Sequence, residues 1–151
     1  MLKKILFTIL LLNLLNHCEY KPVYSNQNKV NYKIIVTSFN GDKEINDLIT
    51  SNIKRNNNES STKTLNISFD TKYTKNILAK NTAGTITDYE ANVITKFNIK
   101  REDSSENFSI NEKFNFKKMT DKYEEKNYER TIKKNLADSI SQKLMLRLIV
   151  N

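Results

Sequence analysis

In four stretches of the chain, apolar residues alternate with polar ones, and a period of two predicts β-strands with one apolar face. The first strand is predicted over Val30–Phe39, with Ile35 and Phe39 on the face opposite Ile34 and Val36. The other three are predicted over Leu65–Phe69 or as far as Tyr73, over Tyr89–Ile99, and over Phe108–Phe116. Strands with one apolar face form a sheet that helices cover on one side only.

Turns are predicted between these last three strands. One turn is expected at Asn81–Gly84, and the charged, serine-rich segment Arg101–Asn107 is expected to close a long hairpin. Glu112 interrupts the apolar face of the fourth strand. We expect it near a sheet edge or a bulge, because a lone buried carboxylate is costly.

Two other stretches repeat their apolar residues every three or four positions, which predicts amphipathic helices. The shorter helix follows Asn40-Gly41-Asp42, with acidic residues at its start and basic residues at its end, as the helix dipole favours. Its apolar stripe is Ile45, Leu48, Ile49 and Ile53. The longer helix runs from about Tyr123 to Ile149, and its stripe is Tyr128, Ile132, Leu136, Ile140, Leu144 and Leu148, widened by Ala137, Met145 and Ile149. We expect both stripes to pack on the sheet.

The resulting order, β-α-β-β-β-α, predicts the α+β class. The architecture is a two-layer sandwich: a four-stranded, mostly antiparallel sheet with two helices on one face. Residues 30–151 are predicted to form this one domain. A polar segment over residues 18–29 is predicted to be a tether, and residues 1–17 a signal peptide.

The signal peptide is predicted from a basic start at Lys3 and Lys4 and an apolar run of about 11 residues, which is too short to span a bilayer. Cys18, the only cysteine, follows directly after it. Leu15 fits the processing site of a bacterial lipoprotein, whereas His17 is larger than the usual residue there. We therefore predict that Cys18 carries a covalent lipid. The alternatives are an ordinary signal peptide with a free thiol and an uncleaved anchor.

The chain has a formal net charge of +8, and about +6 once the lysines of the signal are removed. Such a surface suits anionic partners, namely lipid head groups, lipopolysaccharide phosphates or nucleic acid. Nucleic acid is not expected as a partner, because an exported protein seldom meets it. The alternative is that these lysines are simply solvated.

Residues for catalysis are scarce. The only histidine, His17, lies in the predicted signal, and isolated Gly41 and Gly84 make no phosphate-binding loop. This excludes Cys-His pairs, Ser-His-Asp triads and the common zinc sites from the mature domain. We expect no enzyme, no metal and no cofactor apart from the lipid on Cys18.

One segment suggests a lipid-binding site. Lys72, Lys75 and Lys80 flank the apolar residues Tyr73, Ile77 and Leu78 just before the predicted turn. Lysines offer charge to phosphate and apolar side chains offer contact to acyl chains. These three lysines are our candidates for lipopolysaccharide binding, and the alternative is a solvated hairpin tip.

The start of the mature chain, Cys18-Glu19-Tyr20-Lys21-Pro22-Val23-Tyr24, resembles that of the LptE family of lipopolysaccharide-assembly lipoproteins in its alphaproteobacterial form. Similar segments follow at Ala79–Gly84, at Tyr89–Val93 and at Leu136–Ile140 with Leu144. Glu19 departs from the glycine common at its position. The likeness covers nearly all of the mature chain.

This resemblance implies a sheet with two helices and a lipid-anchored protein on the periplasmic face of the outer membrane. It implies the LptD-type β-barrel and lipopolysaccharide as partners, with the protein plugging the barrel and assisting lipopolysaccharide transport to the outer leaflet. The alternative function is a periplasmic lipoprotein that binds anionic lipid or a cell-wall component without a barrel partner.

Overall fold

The computed structural model describes residues 30–150, so that the predicted signal, the tether and Cys18 lie outside the described residues. The elements are β1 (Lys33–Gly41), α1 (Lys43–Arg55), β2 (Thr64–Lys80), β3 (Ile86–Lys100), β4 (Ser105–Lys117) and α2 (Lys122–Val150). Their order is the predicted one, and the predicted α+β class is confirmed.

The four strands form one sheet in the order β1-β2-β3-β4. β2, β3 and β4 pair antiparallel through two hairpins, whereas β1 pairs parallel with β2. A parallel pair needs a crossover connection, and α1 supplies it. The sheet is therefore mixed, with β1 and β4 at its edges.

Both helices lie on the same face of the sheet, which we call the helix face. Glu129 of α2 accepts a hydrogen bond from the Tyr73 hydroxyl of β2, and Phe116 of β4 packs edge-on against Tyr128 of α2. The core between the two layers holds the predicted apolar faces; its fully buried members include Ile45, Ile49, Leu65, Ile67, Val93, Phe97, Ile99, Ile132, Ile140 and Leu144.

Both helices begin at an acidic residue outside the helix. Asp42 is the N-cap of α1, and its carboxylate accepts a hydrogen bond of 3.0 Å from the backbone N–H of Ile45. Asp121 accepts from the N–H groups of Tyr123 and Glu124 at the start of α2. These bonds satisfy backbone donors that have no partner within the helix.

β1 departs from strict alternation. Its pairing with β2 shifts by one residue between Val36 and Ser38, so that Phe39 pairs with Phe69. The prediction that Phe39 faces away from Ile34 and Val36 is wrong, because a bulge returns the following residues to the same face. The strand then ends at Gly41, whose φ of 94° suits glycine.

The bulge completes an aromatic row across all four strands. Phe39, Phe69, Phe97 and Phe108 are register partners, and their ring centroids lie 5.7, 5.6 and 5.5 Å apart in turn. The guanidinium of Arg147 in α2 lies 4.1 Å from the Phe108 ring centroid. Cross-strand aromatic pairs of this kind add to the stability of a sheet.

Two predictions about the strands have different outcomes. β2 runs to Lys80, past the predicted end at Phe69 or Tyr73, so the segment with the three candidate lysines belongs to the strand. Glu112 does lie on an edge strand, β4, as expected, and its carboxylate forms an ion pair with Lys143 of α2. Lys143 thus supplies a cationic partner for the carboxylate on the helix face.

Candidate functional site

The β2–β3 hairpin extends beyond both helices and beyond the neighbouring strands. The last register pair of β3 with β4 is Asp88 with Lys117, and past it only β2 and β3 remain paired. We call residues 77–87 the hairpin tip. Ile77 and Leu78 on it are 52% and 49% exposed. Both residues lie past the last β1–β2 register pair, Gly41 with Thr71, whereas Ile77 is still joined through Tyr89 to Phe116 of β4. Two large apolar side chains are thus exposed where β2 has become an edge strand of the sheet.

The loop at the end of the tip is held by one side chain. The Asn81 amide oxygen accepts hydrogen bonds from the backbone N–H groups of Ala83 and Thr85, at 3.0 and 2.9 Å. The Asn81 N–H donates to the Thr85 carbonyl, and Gly84 adopts a φ of 78°. This is the ordinary role of Asn and Gly in a turn. Asn81 therefore gives the exposed tip a defined shape.

The structure does not bring the three candidate lysines together. Lys72 is exposed on the face of the sheet opposite the helices, and Lys80 is exposed where β2 meets the loop. Lys75 lies on the helix face, since it is an odd number of residues from Lys72. The first two remain accessible to a ligand, whereas the third has partners within the domain.

Lys75 lies between two carboxylates of α2. Its Nζ atom is 2.8 Å from Glu125 Oε1 and 3.0 Å from Glu129 Oε2, and 4.3 Å from the centroid of the Tyr89 ring. Burial opposes the charge of Lys75, but the two hydrogen bonds outweigh it and raise its pKa. The hydrogen bond from Lys75 in turn lowers the pKa of Glu125. Lys75 therefore fastens the start of α2 to the base of the hairpin tip.

A second lysine joins the two helices next to this group. Lys133 of α2 donates to Asp42 at 2.9 Å and to Glu44 at 3.3 Å, and its Nζ atom lies 4.5 Å from the Tyr73 ring centroid. Burial opposes the charge, but the hydrogen bonds prevail and raise the pKa of Lys133. Burial, together with the hydrogen bond to Glu129, raises the pKa of the Tyr73 hydroxyl.

The local sequence pattern around Lys75 did not indicate this role. A signal was available: Glu125 and Glu129 precede Ile132 and Leu136 at helical spacing, which places both carboxylates in line with the buried stripe of α2. Carboxylates on a buried stripe need cationic partners. Lys75 is the one lysine on the helix face of β2 between Leu65 and Ile77.

The face of the sheet opposite the helices, which we call the uncovered face, is lined by amides, hydroxyls and a few charges. Its central register rows are Ser68-Asn98-Asn107 and Asp70-Lys96-Ser109. Asn98 donates to the Asn107 side chain at 2.6 Å, and Lys113 is 3.2 Å from Glu90. A shallow trough of about 500 Å³ runs across these rows. The face suits contact with a polar surface or with water.

Metal-ligating side chains do not gather within residues 30–150: no three of the described His, Cys, Asp and Glu residues lie close enough together to hold an ion. Neither helix of this part of the chain combines the length and apolar character that crossing a bilayer requires.

Known proteins were compared with the chain at the level of sequence and of structure. No protein-family model matches it, and no curated protein does. Solved structures do match. Rare lipoprotein B from Shewanella oneidensis aligns with a TM-score of 0.53 and 14% identity over 73% of this chain and 93% of that one.

Two further structures give the same result. A minor lipoprotein from Acinetobacter baumannii aligns with a TM-score of 0.52 and 10% identity, over 77% of this chain and 94% of the other. Lipoprotein B from Nitrosomonas europaea aligns with a TM-score of 0.50 and 13% identity, over 82% and 88%. At these identities the likeness shows a shared fold.

Proposed function

We propose that this protein is an outer-membrane lipoprotein that plugs an LptD-type β-barrel and assists lipopolysaccharide transport to the outer leaflet, without catalysis. One observation carries the proposal: the fold is shared with solved structures of lipoproteins, and the sequence places Cys18 at the end of a signal-like segment. A triacylated Cys18 binds a membrane stably, whereas a single chain binds only marginally.

The length of the domain supports a role inside a barrel. Val30, where the described chain begins, lies near the start of β1, and the hairpin tip lies at the far end of β2. The 17 residues of β2, at 3.3 Å per residue, span roughly 55 Å. This exceeds the hydrocarbon core of a bilayer, which is about 30 Å thick. A domain anchored at one end therefore has the length to carry the tip through a membrane-embedded barrel.

The uncovered face supports the same role. The interior of a large outer-membrane barrel is polar, and amides and hydroxyls such as those of Asn98, Asn107 and Ser109 can exchange hydrogen bonds with it. Amide and hydroxyl side chains can each donate and accept hydrogen bonds.

For lipopolysaccharide we propose the hairpin tip, together with Lys72 on the preceding part of β2, as the contact region. Lys72 and Lys80 would meet phosphates, and Ile77 and Leu78 would meet acyl chains. Lys75, which was predicted with them, would act indirectly by holding α2 against the base of the tip, because its ammonium group already has two carboxylate partners.

Co-purification from detergent extracts of the native membrane tests the barrel partner. The expected result is recovery of the protein with one large β-barrel protein, and loss of surface lipopolysaccharide when the protein is depleted. Recovery without a barrel, with unchanged surface lipopolysaccharide and salt-sensitive binding of anionic lipid, would support the alternative of a periplasmic lipid- or cell-wall-binding lipoprotein.

Mass spectrometry of the mature N-terminus tests the anchor separately. We expect a chain that begins at Cys18 with three acyl groups. An intact chain that retains residues 1–17 and a free thiol would overturn the lipoprotein assignment, whatever the barrel experiment shows.

A further inference from the structure

The open edges of the sheet are protected to different extents. β1 carries a bulge, and the N–H of Ile34 on its outer side donates to the Asn57 side chain at 2.6 Å. The part of β2 beyond β1 carries Lys72, Lys75 and Lys80 and two register shifts. Bulges and lysines are devices that keep a strand from pairing with another chain. β4 pairs with β3 along all 13 of its residues without a register shift, and it contains no proline. It is the long, regular edge of the sheet.

The backbone groups of β4 that face away from β3 belong to its odd-numbered residues. Just past one end of β4, the Lys118 N–H donates to the Thr87 carbonyl at 2.8 Å, and just before the other end the Arg101 N–H donates at 2.8 Å to the Ser104 carbonyl. Both pairs continue the register of β3 with β4. Hydrogen-bonded and non-bonded pairs alternate in an antiparallel ladder, so the even-numbered residues of β4 bond to β3. The outward residues are Ser105, Asn107, Ser109, Asn111, Lys113, Asn115 and Lys117.

These outward backbone groups have no hydrogen-bond partner within residues 30–150: neither a loop nor a side chain reaches them. The side chains of the same residues bond elsewhere. Asn107 accepts from Asn98 on the uncovered face, and Lys113 contacts Glu90. Each outward residue therefore keeps one backbone donor and one backbone acceptor for another strand.

The sequence of β4 is complementary to itself when two copies run antiparallel. The register that pairs the whole strand places Asn111 opposite Asn111 of the second copy, and Phe108 opposite Phe114, which is 39% exposed. No two like charges then lie opposite each other, and aromatic cross-strand pairs stabilise a sheet. The other opposite pairs are Ser105 with Lys117, Glu106 with Phe116, Asn107 with Asn115, Ser109 with Lys113, and Ile110 with Glu112.

Neighbouring registers are less favourable. A slip by two residues in one direction sets Glu112 against Glu112 of the second copy, and in the other direction it sets Phe108 against Glu112. A slip by one residue exchanges the two faces of the strand. The complementary register is therefore centred on Asn111.

We infer that two copies of this chain associate through β4, with a two-fold axis at Asn111. The product is a continuous eight-stranded sheet with all four helices on one face and one long polar face. Such an interface is isologous, since each residue of one copy meets the same surface that it offers to the other. The inference goes beyond the proposed function and rests on the β4 edge alone.

Thiol crosslinking in the full chain, purified in detergent, tests the axis. Residues opposite each other in a hydrogen-bonded pair have Cα atoms about 5.5 Å apart, so Asn111→Cys should be joined to its own copy by a short bis-thiosulfonate reagent. Asn107→Cys should not, because its own copy lies eight residues, or about 27 Å, along the strand. Co-expressed Asn107→Cys and Asn115→Cys chains should be joined to each other. The parent, with Cys18 alone, measures the background, and mass spectrometry locates each link.

A proline at the axis tests the backbone pairing. Asn111→Pro removes an outward N–H and no bond to β3, so sedimentation should show a loss of the dimer, while Asn111→Ala should retain it. Circular dichroism should show the same fold for both. A parent that sediments as a monomer, equal self-crosslinking of Asn107→Cys and Asn111→Cys, or links from Asn111→Cys mainly to another protein would each overturn the inference. The cysteine variants decide the matter even if the proline variant fails to fold.

Discussion

Lys75 shows how one side chain can be assigned to two roles that exclude each other. Its position beside Ile77 and Leu78 in sequence suggested a phosphate contact. In the fold its ammonium group is held by Glu125 and Glu129 against the ring of Tyr89. Lys72, three residues earlier, has the opposite orientation and is exposed.

This difference predicts opposite results for two matched substitutions. Lys75→Met keeps the aliphatic stem but leaves two partly buried carboxylates without their partner, which should lower the free energy of unfolding by about 1–3 kcal/mol. Lys72→Met should change it by less than about 0.5 kcal/mol. Urea unfolding followed by circular dichroism measures both. Equal effects would show that the Lys75 ion pairs do not stabilise the domain.

The lowered pKa of Glu125 predicts a dependence of stability on acid pH. In the unfolded chain the pKa of this carboxyl is about 4.3. In the folded domain its pKa is lower, because Lys75 and the Met119 N–H donate hydrogen bonds to it. The contribution of Glu125 to the free energy of unfolding is fully present above its unfolded-state pKa, and it is lost as the pH falls through its folded-state pKa. Urea unfolding between pH 5 and pH 3 should therefore show a smaller decline for Glu125→Gln than for the parent.

A matched control for that experiment is Glu102→Gln, which changes an exposed carboxylate in the β3–β4 turn. It should decline with pH as the parent does. A Glu125→Gln variant that declines as steeply as the parent would contradict the assignment of the lowered pKa to this carboxyl.

Among the elements, β1 depends most on a backbone detail. Its last residue, Gly41, lies so close to β2 that a Cβ atom there would collide with the Thr71 carbonyl oxygen, and the next N–H, of Asp42, donates to that same oxygen at 3.0 Å. Asp42 then caps α1. The Thr71 carbonyl of β2 therefore contacts both the end of β1 and the start of α1.

Two glycine substitutions separate the close approach from the backbone angle. Both Gly41 and Gly84 have positive φ, but a Cβ at Gly84 meets open space. Gly84→Ala should cost about 1–2 kcal/mol of unfolding free energy, the usual penalty for that angle. Gly41→Ala should cost about 3 kcal/mol or more, because the angle and the collision both oppose it. Thermal unfolding of the two variants checks the difference, and equal costs would refute it.

The elements also show how far the sequence could predict the fold. The stripes of α1 and α2 were readable because one face of each is buried throughout, from Ile45 to Ile53 and from Ile132 to Leu148. The end of β2 could not be predicted, because past Lys75, which still contacts α2, the adjacent residues Ile77 and Leu78 are both apolar and both exposed, so that the two faces no longer differ. The bulge before Ser38 could not be predicted either. An apolar residue such as Phe39 fits either face of a strand, so its identity does not reveal the shift in register.

The candidate site was predictable to a lesser extent. The exposed tip with Ile77, Leu78 and Lys80 follows from its sequence, and so does the turn at Asn81–Gly84. The ion pairs of Lys75 do not follow from the local sequence, because their carboxylates lie 50 and 54 residues further along the chain. Contacts that distant depend on how α2 lies over the sheet, which a local pattern does not encode.

At the scale of the whole molecule, the described domain has two distinct ends. The start of β1 and the C-terminal ends of α1 and α2 lie at one end, and the hairpin tip lies at the other. The packed core lies between them and does not depend on either. Changes at the tip should therefore separate ligand binding from stability.

The double substitution Ile77→Ser, Leu78→Ser tests this separation. Both side chains are about half exposed, so the free energy of unfolding should change by less than about 1 kcal/mol. If the hairpin tip contacts lipopolysaccharide as proposed, retention on immobilised lipopolysaccharide should fall clearly, because those apolar contacts would be lost. Tyr123→Ser, which changes a residue 74% exposed at the start of α2, should leave both quantities unchanged. Unchanged retention of the double variant would show that the hairpin tip is not the contact region.

The parallel pairing of β1 with β2 has a consequence for how the chain folds. β1 is synthesised before β2, its strand partner in the described sheet, and the paired part of β2 is complete only after α1 and residues as far as Thr71 have been made. The β2–β3–β4 meander, in contrast, needs only neighbouring segments. Non-local pairings form slowly, so the amide protons of β1 should be the last in the sheet to become protected from exchange during refolding. Until β1 has paired, the open edge of β2 can associate wrongly with another chain.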